Sequence, residues 1–323
     1  MSAKSNRMKY AAIAVVLIVV LVVGGFLALR SRTQTRTQVD EISPVIAEIS
    51  KETGETSTLW KSVESKLEDL RAIDTSYDKT RMTQEADYCE TARSTIADIK
   101  NDLDSITAHH DNVAKSLQDL AAMEVPDWFP EYLDLKNAIL DKDRERVDKV
   151  KEMLGNLDTY YMFSEKLLLA MIAEYDMEEV LKDAVDMVVE EDYAGAQEQF
   201  EKAADRNSEV KGYAAEASSI LTFNYLDRLE TNREKADAVI QKYIEVCDLA
   251  DKHSYNDAKE LAEEAEEDYR SIQRVYLSDF KPENQAYWKE NIGSIGDDIK
   301  ELGRQIDDLE YQAASLLEKN KPD

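Results

Sequence analysis

From Tyr10 to Leu29 the chain runs for twenty residues without a charged or strongly polar side chain. An α-helix rises about 1.5 Å per residue, so such a stretch covers about 30 Å, the thickness of a bilayer hydrocarbon core. Val15, Leu17, Ile18, Val22 and Phe26 lie inside it. Its many Val and Ile residues are weak helix formers in water. In lipid the backbone must satisfy its own hydrogen bonds, and that weakness matters little. A cleaved signal peptide has a shorter apolar core and a small-residue site after it. Here Leu29-Arg30-Ser31-Arg32 follows, and no cysteine lies nearby to accept a lipid. The expectation is an uncleaved, single-pass signal anchor whose first partner is the lipid bilayer.

The flanking charges bear on orientation. Lys4, Arg7, Lys9 and the α-amine precede the stretch, and Arg30, Arg32 and Arg36 follow it. The excess of one on the leading side places the N-terminus in the cytoplasm and the body on the extracytoplasmic side. The topological mirror is a cytoplasmic, membrane-tethered scaffold.

The first 36 residues hold six basic side chains and no acidic one, which leaves 34 basic against 68 acidic residues in the rest. Nucleic-acid phosphates and anionic lipid surfaces both call for Lys and Arg, so the balance argues against either as a binding surface for the body. With nine glycines and five prolines in 323 residues, the chain is expected to be all-α. Cys89 and Cys247 are too few for a disulfide scaffold and lack metal-ligand spacing. They read as buried thiols at apolar helical positions, with a bridge as the alternative in an exported body.

The hydrophobic pattern lays out the rest. A basic tail (1–9) precedes the anchor (10–29), and a polar juxtamembrane hinge (30–38) follows it. A long antiparallel helical hairpin is expected over 39–124. Its first helix, 37–76, carries Ile46, Ile49, Trp60 and Val63 in heptad phase, with Thr53 and Thr56 as a soft middle and a kink at Pro44. Its second, 81–124, carries Met82, Cys89, Ala92, Ile96, Ile99, Leu103, Ile106, Val113, Leu117 and Leu120, with lapses at Glu85 and His110. Pro126 and Pro130 mark a boundary. Helical hairpins are expected over 125–281, with breaks at 141–143, 155–156, 190–192, 206–208 and 252–254. The apolar segment Tyr160–Ala173 should be their central buried helix. A heptad helix over 282–319 follows, carrying Ile292, Ile295, Ile299, Leu302, Ile306 and Leu309, with Gly293, Gly296 and Gly303 beside the seam and a short tail at 320–323. These seams must be buried, either by the C-terminal helix packing along the hairpin or by a second copy of the chain.

Within the middle region, Tyr193, Ala196, Phe200 and Ala203 share their spacing with Tyr255, Ala258, Ala262 and Ala265. The pattern resembles the second helix of a tetratricopeptide repeat, which implies stacked helical hairpins. The copies lie 62 residues apart rather than about 34, and the Trp-Leu-Gly pattern of the first helix is missing.

Chemistry-bearing motifs are sparse. His109, His110 and His253 are the only histidines, and none belongs to a Glu-x-x-His or His-Glu-x-x-His pattern. Neither a phosphate-binding glycine loop nor a Gly-x-Ser-x-Gly elbow is present. His110 sits in a seam, either as a pH-sensitive group or as a polar residue that sets register. The acidic run Glu263, Glu264, Glu266, Glu267 and Asp268 reads as a solvated helix face. Tyr160, Tyr161, Tyr213, Tyr225 and Tyr243 either line a cleft or pack a core. The expectation is therefore a membrane-anchored helical-bundle module with no catalytic residue, cofactor or metal, acting through a protein partner or by self-association. The alternative is an extracytoplasmic ligand-sensing or solute-binding domain in the middle helices, although no residue pattern specifies a small-molecule ligand.

Overall fold

In the computed structural model, residues 35–319 are described apart from 77, 124, 126, 127, 273 and 274, with side chains from Pro44 onward apart from Leu317. The apolar stretch Tyr10–Leu29 and the flanks Lys4, Arg7, Lys9, Arg30 and Arg32 lie outside the described residues, and Arg36 is described in its backbone alone. Among the described residues no helix is long and apolar enough to cross a membrane.

The described chain is an all-helical bundle, with no strand among the described residues. Its helices are α1 (Thr35–Glu68), α2 (Lys79–Ala121), α3 (Phe129–Val189), α4 (Tyr193–Ile220), α5 (Asn224–Asp251), α6 (Tyr255–Ser271), α7 (Lys281–Trp288) and α8 (Ser294–Lys319). A 3₁₀ turn, Leu277–Phe280, leads into α7, and a π-helical turn, Lys289–Gly293, joins α7 to α8.

Several expected boundaries move. The first helix ends at Glu68 rather than near residue 76 and runs unbroken through Pro44. The expected breaks at 141–143 and 155–156 lie inside α3, a single helix of 61 residues. Gly155 is tolerated there because a helix pays only about 1 kcal/mol for one interior glycine, and a long packed face outweighs that. The break at 206–208 is likewise helical, because Asn207 is buried in α4. A break that periodicity missed falls at Leu221–Phe223, where the Leu221 backbone is extended. The turns at 190–192 and 252–254 stand as expected.

Those two turns give the internal echo its physical content. Glu191 and His253 each adopt positive φ (63° and 60°), two residues before Tyr193 and Tyr255. In each turn the residue after it donates its N–H to a carbonyl five residues back, Asp192 to Met187 at 3.0 Å and Ser254 to Leu249 at 2.9 Å. Both helix ends are thus closed by the same left-handed cap. Ala196, Phe200 and Ala203 in α4, and Ala258 and Ala265 in α6, are then buried.

The chain divides into two compact units. Unit 1 holds the described residues up to Leu70, 95–155 and 291–319, and unit 2 holds 71–94 and 156–290. In unit 1, α1 and α2 run antiparallel, with Ser62 and Lys66 both reaching Asp102 (2.9 and 2.7 Å) and Ile46 clustering with Val113 and Leu117. The first half of α3 joins them, antiparallel to α2: Arg144 pairs with Asp111 and Lys151 with Asp104. Ala313 of α8 completes the same cluster beside Phe129 and Leu140. Along the rest of the C-terminal seam Ile292, Ile295 and Leu302 are buried and Ile299, Ile306 and Leu309 half-buried. Every seam position of α2 is buried, Ile96, Ile99, Leu103 and Ile106 to 1% exposure or less.

Unit 2 is built around the second half of α3. Tyr160, Tyr161, Phe163, Leu167, Leu168 and Met171 are fully buried, as expected of the Tyr160–Ala173 segment. Phe280, delivered by the 3₁₀ turn, packs within 5.6 Å of the rings of Phe163, Phe223 and Tyr225. Trp288 and Tyr287 close on the Tyr160 ring at 5.2 and 5.8 Å. These tyrosines pack a core rather than line a cleft.

Candidate functional site

The polar side chains that interrupt the apolar seams are where the charged chemistry of the described residues concentrates. Each is in heptad phase, so each points into a packed interior, and burying it costs free energy unless a partner is supplied.

In unit 1 the lapse at His110 is 3% exposed. Its Nε2 lies 2.8 Å from Oδ2 of Asp143, and the indole N–H of Trp60 donates to the same oxygen at 3.1 Å. One carboxylate on α3 therefore ties α2 to α1. The Arg146 guanidinium covers the Trp60 ring at 4.0 Å and donates to Glu64 at 2.8 Å. His110 thus sits in a layer that spans three helices, an arrangement suited to setting register.

About two helical turns from Trp60 along α1, the soft middle holds a second cluster. Glu52, 7% exposed, accepts from the Asn112 side chain at 2.9 Å and lies 2.7 Å from His109 Nδ1. Glu55 approaches the same ring nitrogen at 3.5 Å. One ligand atom from each of Glu52, Glu55 and His109 falls within 4.8 Å of the other two. The Asn112 hydrogen bond, then that of His109, hold the Glu52 carboxyl below the usual carboxylate range against the opposing effect of burial.

Unit 2 has its own polar layer. Arg233 of α5 and Glu174 of α3 pair at 2.9 Å with both side chains 4% exposed. Asn207 of α4 is fully buried and donates to the Arg233 carbonyl at 2.9 Å. The seam lapse at Glu85 is satisfied too: Arg71 grips it with two bonds of 2.8 Å, and the Asp74 N–H donates to it at 3.0 Å. Tyr160 accepts from the Ile73 N–H and donates to Asn284. Burial lifts its hydroxyl to about 12.

A cleft of about 290 Å³ opens beside this layer, lined by Met177, Leu181, Ala236, Ile240 and Ile272 with Arg233 and Arg270. The Nε of Arg233 is buried without a hydrogen-bond partner. The cleft lies inside the 131–280 region, one to two turns beyond the Tyr160–Ala173 segment.

Both cysteines are free and buried. Burial pushes the Cys89 thiol up to about 12 and that of Cys247 up to about 11, so both stay protonated and unreactive at neutral pH. Gly296 and Gly303 beside the last seam do not mark a close backbone approach among the described residues. A Cβ added at Gly296 or Gly303 would meet nothing within 4 Å.

Sequence reasoning singled out His110 and passed over Glu52, Asp143, Glu174, Asn207 and Arg233. The signal was present. In α5 the buried series Leu229, Arg233, Ala236, Ile240, Tyr243, Cys247 keeps strict 4-3 spacing with the arginine in phase. In α4, Asn207 keeps phase between Ala203 and Val210.

No protein-family model matches the chain, and no curated protein or solved structure matches it either.

Proposed function

We propose that this chain is a single-pass membrane protein whose acidic helical body stands on the extracytoplasmic side and works, without catalysis, by holding a protein partner. The observation that carries this reading is the use made of the buried chemistry-bearing side chains. His110, Asp143, Glu174 and Arg233 are each engaged in tying one helix to another, and Glu85 ties α2 to the segment that precedes it. Fixed helical spacing within each unit is what such bracing supplies, and it suits a module that presents a surface. The tether rests on the length of the Tyr10–Leu29 stretch, with helical backbone already at Thr35. The seam of α2 is buried and that of α8 buried or half-buried, so a partner would meet the outer faces rather than an unfilled seam.

Alkaline extraction of membranes followed by protease treatment of intact cells tests the tether and the orientation. The chain should stay with the membrane pellet, and external protease should remove the body. Release by alkali, or full protection of the body, contradicts the proposal. An impermeant amine-reactive crosslinker applied to the same cells should join body lysines to another chain. Recovery of uncrosslinked monomer alone argues against a held partner.

The cleft beside Arg233 favours a second reading, a domain that binds a small ligand. Its volume sits near the lower edge of the 300–1,000 Å³ range usual for ligand sites. Filling it with Ala236→Phe should then abolish the thermal stabilisation given by any small carboxylic acid found to raise Tm.

A further inference from the structure

We propose that Glu52, Glu55 and His109 bind a divalent transition-metal ion, with zinc as the reference case. The two glutamates stand one turn apart on α1, and His109 faces them from α2. This Glu-x-x-Glu pattern has no meaning on its own helix; only the antiparallel neighbour brings the imidazole to it.

The geometry is close to that of a coordination sphere. Imidazole nitrogen and carboxylate oxygen sit about 2.0–2.2 Å from zinc, which places neighbouring ligand atoms about 3.0–3.5 Å apart. Here Glu52 Oε2 and Glu55 Oε2 lie 2.7 and 3.5 Å from His109 Nδ1. The adjustment needed to seat an ion is of the order of one ångström. One imidazole with two carboxylates is a donor set that zinc, ferrous iron and manganese accept, and an all-oxygen site for calcium or magnesium it is not.

The surroundings favour occupancy. Glu52 is 7% exposed and its carboxyl is kept ionised by the Asn112 amide, which orients it toward the imidazole. Glu55 is nearly half exposed, so the cluster opens to solvent on one side and leaves an entry path and room for a water ligand. Lys51 competes only weakly, reaching Glu55 at 3.8 Å across an exposed pair. The net charge of the chain, −28, draws cations generally. The metal takes the lone pair of His109 Nδ1, so a proton carried on that nitrogen leaves to solvent when the ion binds.

The site goes beyond the proposed tethering role and does not depend on it. The test is zinc titration of the chelator-treated full-length chain in detergent, by calorimetry and by Tm. One zinc per chain, a raised Tm, and a zinc-dependent shift of the His109 imidazole resonances are expected. Glu55→Gln, a change at a half-exposed position that leaves the fold intact, should weaken zinc binding about tenfold or more, as should His109→Gln. Glu263→Gln, on the solvated face of α6, should leave it unchanged. Failure of the wild-type chain to bind zinc at micromolar concentration, or binding by Glu55→Gln and His109→Gln equal to wild type, overturns the proposal.

Discussion

Each unit carries one polar layer across three helices, and the two layers solve the same problem differently. In unit 1, Trp60, His110 and Asp143 join α1, α2 and α3 through a single carboxylate, whose side chain keeps 16% of its exposure. In unit 2, Glu174, Arg233 and Asn207 join α3, α5 and α4 around an ion pair that is 4% exposed on both sides. The first layer touches water at its margin, and the second buries both charged side chains, with a cleft beside Arg233. The contrast teaches that a seam tolerates a polar residue on either of two terms. One polar partner can stay near solvent, as Asp143 does, or both partners can be buried as an ion pair.

The sharpest way to break that contrast is to remove one partner of the buried pair. Arg233→Met removes the guanidinium that pairs with Glu174 at a buried site, and loss of about 3–5 kcal/mol is expected in urea unfolding. A loss below 1 kcal/mol would show that the pair does not brace the layer. His110→Leu probes the wetter layer. Asp143 keeps the Trp60 N–H and some contact with water, so the cost should be smaller, about 1–3 kcal/mol. Equal losses at 110 and 233 would erase the distinction.

Gly296→Ala and Gly303→Ala sharpen the account of unit 1. Among the described residues nothing lies within 4 Å of the new methyl group, so each should add about 0.5–1 kcal/mol by helix propensity alone. A loss of stability would reveal an unseen contact on that face.

The smallest effect concerns acid. The folded-state pKa of Glu52 is depressed, so its contribution to stability is fully present above its unfolded value of about 4.5 and is lost as pH falls through the folded value. Asn112→Ala should lower Tm at pH 7, and the gap to wild type should narrow as pH drops below 4.5. A gap that is constant with pH would remove the carboxylate from the explanation. Unit 2 offers a matching chemical probe: with thiols raised to about 12 and about 11, Cys89 and Cys247 should alkylate at pH 8 only after unfolding.

Much of this arrangement was legible in the sequence. The unbroken 4-3 spacing from Ile96 to Leu120 gave α2 its buried face residue by residue, and Tyr160–Ala173 declared itself by apolarity. Helix ends were less legible. Asp141-Lys-Asp143 looks like a turn by composition, yet it is the place where α3 presents Asp143 to His110, and tertiary pairing outweighs local polarity. The break at 221–223 carries no Gly or Pro, and the packing of Phe223 against Phe163, Phe280 and Tyr287 accounts for it. The polar layers were half legible. His110 stood out because its neighbours are strongly apolar, whereas Arg233 and Glu174 sit among many charged residues, and phase alone distinguishes them. The Thr53–Thr56 gap was read as weakness, and it is where Glu52 is buried against His109 and Asn112.

That in-phase polar residues are bracing pairs rather than broken seams is the claim on which the rest depends. A double-mutant cycle at Glu174 and Arg233 tests it most directly. Each single apolar substitution should cost several kcal/mol, and the double variant Glu174→Leu/Arg233→Met should recover most of that loss, giving a coupling of about 2 kcal/mol or more. Additive losses, with the double variant less stable than either single one, would contradict it.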